Sequence, residues 1–253
     1  MATQIDYVQR LTEQFNLDNQ PLLVAAGVSY IVGYLQYVYA IRLMLRDGEG
    51  VLPFWMHSFY LAHDSTWSYL CAQLAREYNN HWFLRATSTG LMLWSALEIF
   101  CIHRAITRDR TKVFSSVLGP NALSTGRVVA YAAVLQVAMY AVVRVGIVLM
   151  GEGCLMQWFC LTNVLIVVGP THEYLRRGSR KGLSLGFCTV NIVGTIFTFA
   201  PFSMWGQSIP ELFQQNGYYA VGVVLTAYAV WLFYVVAQYP PKVQGKGEPT
   251  PIW

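Results

Sequence analysis

The sequence predicts an all-α membrane protein: a polytopic bundle of seven transmembrane helices forming one domain over residues 1–253. Three observations predict it. First, 55% of the residues are hydrophobic and only 12% charged, with a mean hydropathy of +0.39, which is far from the balance of an ordinary soluble domain. Second, several apolar runs approach the ~20 residues needed to cross a bilayer. Third, Lys and Arg alternate from loop to loop as successive crossings require.

The elements follow in order. Residues 1–19 hold Ile5, Val8, Leu11 and Phe15 near helical spacing, a short amphipathic piece expected to lie on the membrane surface. The first span is about 21–45, rich in Tyr and Val. The second, about 51–75, opens at Pro53, an acceptable early-helix position. The third, about 81–105, contains TSTGLMLWSALEIFCIH. Spans four to seven cover about 128–150, 155–174, 183–205 and 218–239. The tail, PPKVQGKGEPTPIW, is rich in Pro and Gly and is expected to be unstructured. No leader pattern precedes the spans, because the first twenty residues carry Asp6, Glu13 and Asp18 and lack an apolar core with a cleavage site.

Charge sets the expected orientation. Arg42 and Arg46 flank the first loop; Arg104, Arg108, Arg110, Lys112 and Arg127 bracket the third. Arg176, Arg177, Arg180 and Lys181 fill the fifth, and Lys242 and Lys246 lie in the tail. The other side has only Arg10, Arg76 and Arg85. Basic loops face the cytoplasm, so the expectation is a lumenal N-terminus and a cytoplasmic C-terminus, in the endoplasmic reticulum membrane.

Several classes drop out. The net charge of +4 is small and scattered, with no basic stripe to bind nucleic acid. Cys71, Cys101, Cys154, Cys160 and Cys188 lie in or beside apolar segments with no C-x-x-C pair, and read as small buried hydrophobes. A retinal protein needs a lysine in its last span, and Lys112, Lys181, Lys242 and Lys246 all fall outside the spans. HSFYLAH alone is a weak metal signal with no second histidine cluster to answer it, so no metal and no cofactor are expected. Asp-rich motifs that hold magnesium diphosphate are missing, as are G-x-G-x-x-G, P-loop and G-x-S-x-G signatures in a fitting context.

The chemistry is concentrated in 51–67, VLPFWMHSFYLAHDSTW. A central carboxylate in a bilayer costs at least ~2.5–3.5 kcal/mol unless a partner or wet cavity receives it. On a helix, His57, Tyr60, Asp64 and Trp67 share one face, whereas His63 points to another. Span three adds Glu98, one turn after Trp94. Span four carries Gln136, Tyr140 and Arg144 as a polar stripe, span six Asn191, Thr195 and Thr198, and span seven Tyr228. Plainer readings stand beside each. Asp64 and Arg144 lie at similar depth and can pair as a structural or gating element of a transporter or scaffold. Glu98 can reach toward His103 or Arg104 at the interface; one of His57 and His63 is a core histidine; Asn191, Thr195 and Thr198 are ordinary interhelical glue.

A metal-free cavity lined by carboxylates, imidazole and aromatic faces suits acid-initiated carbocation chemistry. A carboxyl in apolar surroundings keeps its proton and serves as general acid. Aromatic quadrupoles steady passing cations, and a dry pocket delays their quenching.

The chain resembles the small seven-span integral-membrane terpene cyclases of fungal meroterpenoid and indole-diterpene biosynthesis. Three stretches carry the likeness: YIVGYLQYVYAIRLMLRDGEGVLPFWMHSFYLAHDSTW, STGLMLWSALEIF and GPTHEYLRRGSRKGLSLGFCTVNIVG. The resemblance implies cyclisation of a lipophilic prenylated epoxide or olefin, supplied by an upstream epoxidase or prenyltransferase, in contact with membrane lipid. This chain departs from the family at both expected acids: the position in the second span is Leu61, and that in the last is Tyr228. Asp64 is then the expected proton donor, tuned by His57 or His63, with Glu98 as a second acid or base. Tyr60, Trp67, Trp94, Tyr140, Arg144, Asn191 and Tyr228 are the expected substrate-binding residues.

Overall fold

A computed structural model of the protein describes residues 6–119, 123–244 and 250–253. Helix accounts for 79% of the described residues, and no strand occurs among them. In lipid, a helix satisfies its own backbone polar groups. In chain order the helices are α1 (Tyr7–Gln14), α2 (Gln20–Asp47), α3 (Phe54–Glu77), α4 (Trp82–Thr107), α5 (Arg110–Leu118), α6 (Thr125–Met150), α7 (Leu155–Val168), α8 (Thr171–Arg177), α9 (Leu185–Phe199), α10 (Met204–Ser208), α11 (Pro210–Phe213) and α12 (Asn216–Gln238).

Among the described residues, five stretches are long and apolar enough to cross a membrane: Gln20–Asp47, Trp82–Thr107, Thr125–Met150, Leu185–Ser208 and Asn216–Gln238. That is the make-up of an integral membrane protein. The second expected span corresponds to α3, whose 24 residues suffice in length but whose His57, His63 and Asp64 dilute its apolar character. The fifth, expected as one helix over 155–174, is two. Gly169 and Pro170 separate α7 from α8, because proline has no N–H to continue the ladder and disfavours a helical residue before it. The sixth likewise stops at Ala200, whose ψ of 153° is extended, ahead of Pro201.

The chain divides into two compact units, Met1–Asn16 with Pro53–Trp158 and Leu17–Leu52 with Phe159–Trp253. In the first, α3 and α4 form a tight antiparallel hairpin. It turns through Asn79 and Asn80, both at positive φ (53° and 56°), a conformation asparagine tolerates better than most residues. The α4 face toward the interior presents Leu84, Thr87, Leu91, Ser95, Glu98, Cys101 and Ala105, all buried. Its small residues let the two backbones approach. Ser68 Oγ donates to the Ser88 carbonyl and Ser88 Oγ to the Ser68 carbonyl, each at 2.8 Å. On the other side of α3 lies α6, where Gln136 Nε2 donates to the Ser58 carbonyl at 3.0 Å and Tyr140 OH meets Ser65 Oγ at 2.8 Å. The helix α5, not foreseen in the third loop, buries Phe114 with Ala105 and Val128 at the end of the unit.

The N-terminal piece is helical, as its spacing predicts, but its apolar side is covered by protein rather than lipid. Ile5 lies outside the described residues, as does Lys246. Val8, Leu11 and Phe15 are buried, and Phe15 stacks on Phe83 with centroids 3.5 Å apart. Asp6 caps α1 by accepting from Val8 N and Gln9 N at 3.0 Å, and Tyr78 OH donates to its second oxygen at 2.8 Å. The Gln9 amide chiefly, then Tyr78 and Val8, hold its carboxyl below the ordinary value against a partial counter-effect of burial. The cap is therefore complete above the ordinary carboxylate range and is lost as pH falls through the lowered value, below about 4. Asp6→Ala is expected to cost about 1 kcal/mol and to speed hydrogen exchange over 7–15 at neutral pH, while Asp6→Asn, still a good cap, removes the acid sensitivity and the bond accepted from Tyr78 OH.

In the second unit, α9 packs between α2 and α12. Gln36 Nε2 donates to Asn191 Oδ1 at 2.9 Å, and Tyr218 OH donates to the Thr198 carbonyl at 2.7 Å. A polar knot ties the basic end. Arg180 reaches the Val236 and Ala237 carbonyls at 3.1 and 2.7 Å, closing the C-terminus of α12. Asp47 Oδ2 accepts from Gly182 N at 2.9 Å and Lys242 Nζ at 2.6 Å. Gly182 sits at φ 67°, where a Cβ would stand 2.9 Å from the Glu49 carbonyl oxygen, so the turn requires glycine. The last described residues are ordered rather than unstructured: Ile252 is buried, and Trp253 O accepts from Gly186 N at 3.1 Å and from Ser184 Oγ.

Candidate functional site

Helical geometry brings His57, Tyr60, Asp64 and Trp67 to one face of α3, and all four are buried. Asp64 on this face and Glu98 on the facing side of α4, the two carboxyls expected to be chemical, each meet an imidazole. Glu98, fully buried, lies 2.6 Å from His57 Nδ1 through Oε2. Asp64 Oδ1 lies 2.7 Å from His63 Nδ1. Of the two imidazoles, His63 contacts Asp64, while His57 turns to the neighbouring helix. Glu98 turns to His57 on the neighbouring helix, and Arg104 binds Asp109 at 2.9 Å. Seven residues separate His57 from Asp64, so the two pairs stand about 10 Å apart along α3. Tyr60 lies between them, within electrostatic reach of both carboxyls.

His63 is held by packing. Its ring stacks on Phe59 at 6.2 Å and stands 5.7 Å from Trp158, which fixes the imidazole edge presented to Asp64. His63 lies off the 57–60–64–67 face but reaches the carboxyl because it is the adjacent residue. The Trp67 indole N–H and the Ser58 hydroxyl are buried with no hydrogen-bond partner among the described residues. An unmatched buried donor costs free energy, and Trp67 shares the Asp64 face, where a bound acceptor would satisfy it.

Other expected site residues lie elsewhere. Trp94 is half-buried one turn from Glu98. Tyr140 is 41% exposed and meets α3 through a hydrogen bond to Ser65. Arg144 is on the exposed side of α6, and among the described residues no ion pair joins it to Asp64. The structural pair of the transporter reading is therefore not formed. Asn191 and Tyr228 belong to the second unit. There Asn191 bonds Gln36, and Tyr228 OH meets Thr171 Oγ1 at 2.7 Å, helix-to-helix contacts within that unit.

Sequence reasoning missed Cys101 and left the histidines of span two without a second ligand group. The fold supplies one. His57, Glu98 and Cys101 place their donor atoms within 4.8 Å of one another, all buried. The available signal was Glu98 and Cys101 at i and i+3, one face of a helix.

No protein-family model, curated protein or solved structure matches the chain. The site itself therefore carries the functional argument.

Proposed function

We propose that the protein is an integral-membrane cyclase that closes rings on a lipophilic prenylated epoxide or olefin by proton donation. One observation carries the reading: a buried carboxyl, Asp64, held by an adjacent imidazole on a helix face shared with Tyr60 and Trp67. Asp64 gives its proton to the epoxide oxygen or the terminal alkene carbon. The cation that forms is attacked by the next double bond, and Tyr60 and Trp67 steady it through their ring faces. Loss of a proton from the last cation restores the acid on Asp64, directly or through His63. Atoms are conserved, so the reaction is an isomerisation. Glu98, expected as a second acid or base, is tied to His57, and the reading gives it no step. The family resemblance over the first two spans, the third span and the fifth loop supports the fold more firmly than the exact reaction, and Asp64 stands almost one turn beyond Leu61, the family's acid position.

The reading keeps seven crossings, adding α3 and the α7–α8 pair to the five apolar helices, with the tail cytoplasmic and the endoplasmic reticulum as host membrane. A glycosylation reporter after Trp253 is expected to stay unmodified and one in the 207–215 loop to be glycosylated; both on one side would exclude seven spans.

Chelation tests the chemistry. Asp64 and His63 need no magnesium to donate a proton, so turnover should not depend on added magnesium. It should persist in a chelator mild enough to leave tightly held transition-metal ions in place. Turnover lost to chelation and restored by magnesium would point to a diphosphate substrate and end the proton-initiated reading.

A further inference from the structure

We infer that His57, Glu98 and Cys101 form a binding site for a divalent transition-metal ion of the zinc type, clamping α3 to α4. The inference is separate from the proton donor, which lies two turns away on α3.

The argument begins with placement. A histidine from one helix and an E-x-x-C pair from its hairpin partner converge with their donor atoms within 4.8 Å of one another. They are 7%, 0% and 2% exposed. Zinc bonds of about 2.0–2.3 Å hold the ligand atoms of a tetrahedral site roughly 3.3–3.8 Å apart. The 2.6 Å contact between His57 and Glu98 is the length at which a hydrogen lies between nitrogen and oxygen. Replacing that hydrogen by an ion opens the pair by less than about 1 Å, a rotamer-scale adjustment.

The donor set selects the ion. Imidazole and thiolate with one carboxylate suit zinc or cobalt, whereas magnesium and calcium take oxygen ligands. Three protein ligands leave one position for a water. Cys101 is a free thiol for which the proposed chemistry has no use, and it makes no disulfide. The surroundings also fit. One turn beyond Cys101 along α4, Ala105 packs on Phe114, and one turn before His57 along α3, Phe54 meets Phe114 at 4.7 Å. This apolar cap closes the end of the unit beside the three ligands and shields the site from solvent.

The test needs no substrate. Untagged protein is purified in detergent without chelator, its metal content is measured by mass spectrometry, and the metal-free form is titrated with cobalt(II). The expected result is one ion per chain and a sulfur-to-cobalt charge-transfer band in the near ultraviolet. Cys101→Ser should lose the band, while Cys71→Ser and Cys188→Ser keep it. Glu98→Gln and His57→Gln should keep a thiolate band but bind at least ~10–100-fold more weakly, the loss already seen when only an outer-shell partner is removed. No band in the wild-type protein, or a band that survives Cys101→Ser, overturns the inference. If Cys101→Ser fails to accumulate, a chain with Ser at 71, 154, 160 and 188 leaves Cys101 as the sole thiol. The band then either remains, in support, or is missing, which overturns the site.

Discussion

Asp64→Asn is expected to lower turnover by ~10²–10⁴-fold, the range a positioned general acid contributes, with detergent thermal stability close to wild type. The amide keeps the shape of the carboxyl and can accept from or donate to His63 Nδ1, whichever tautomer the ring holds, so the 2.7 Å contact survives. What it lacks is an ionisable proton to give. Arg144→Gln should change neither turnover nor stability, since Arg144 faces outward from α6 and is not an ion partner of Asp64. Coupling between the two would tell against this assignment. If Asp64→Asn unfolds the protein and Arg144→Gln restores both folding and turnover, the acid is structural and the catalytic role fails.

A second large effect is expected in the other unit, at Gly222 on α12. A Cβ there would fall 2.2 Å from Phe199 Cβ, an atom fixed to the α9 backbone that cannot rotate aside. Alanine gains about 1 kcal/mol of helix propensity over glycine. Overpacking a close helix contact costs about 1–3 kcal/mol and occasionally more, and here the clash is with a rigid atom, so the cost wins. Gly222→Ala should lower the unfolding midpoint in detergent, and Phe199→Ala beside it, which keeps the clashing Cβ, should not recover the loss. An unchanged or raised midpoint would mean that α9 and α12 do not approach as described.

These expectations show which parts of the molecule were legible in the sequence. Helix positions were, because apolar runs and their polar punctuation are local: α2, α4, α6 and α12 begin and end within a few residues of the expected spans. The break at Gly169 and Pro170 was equally local, yet mean hydropathy passes over a single proline. Within α3, period 3.6 placed His57, Tyr60, Asp64 and Trp67 on one buried face. Which imidazole serves which carboxyl was not legible. The His57–Glu98 contact spans 41 residues and depends on how α3 and α4 are set against each other. Arg144 misled for a related reason: a row at i, i+4 and i+8 drifts round the helix, so Gln136 and Tyr140 reach α3 while Arg144 is exposed. Val8, Leu11 and Phe15 were read as a membrane-facing stripe because an apolar face looks the same whether lipid or Phe83 covers it.

The most direct test of the central claim is to incubate membranes carrying the wild-type protein with paired prenyl-aromatics, epoxidised and unepoxidised, and follow mass and retention time together. The account predicts a product of unchanged mass and altered retention, formed without added metal and missing from membranes carrying Asp64→Asn. No product from any member of the panel, or a product lighter by diphosphate and dependent on magnesium, would contradict it.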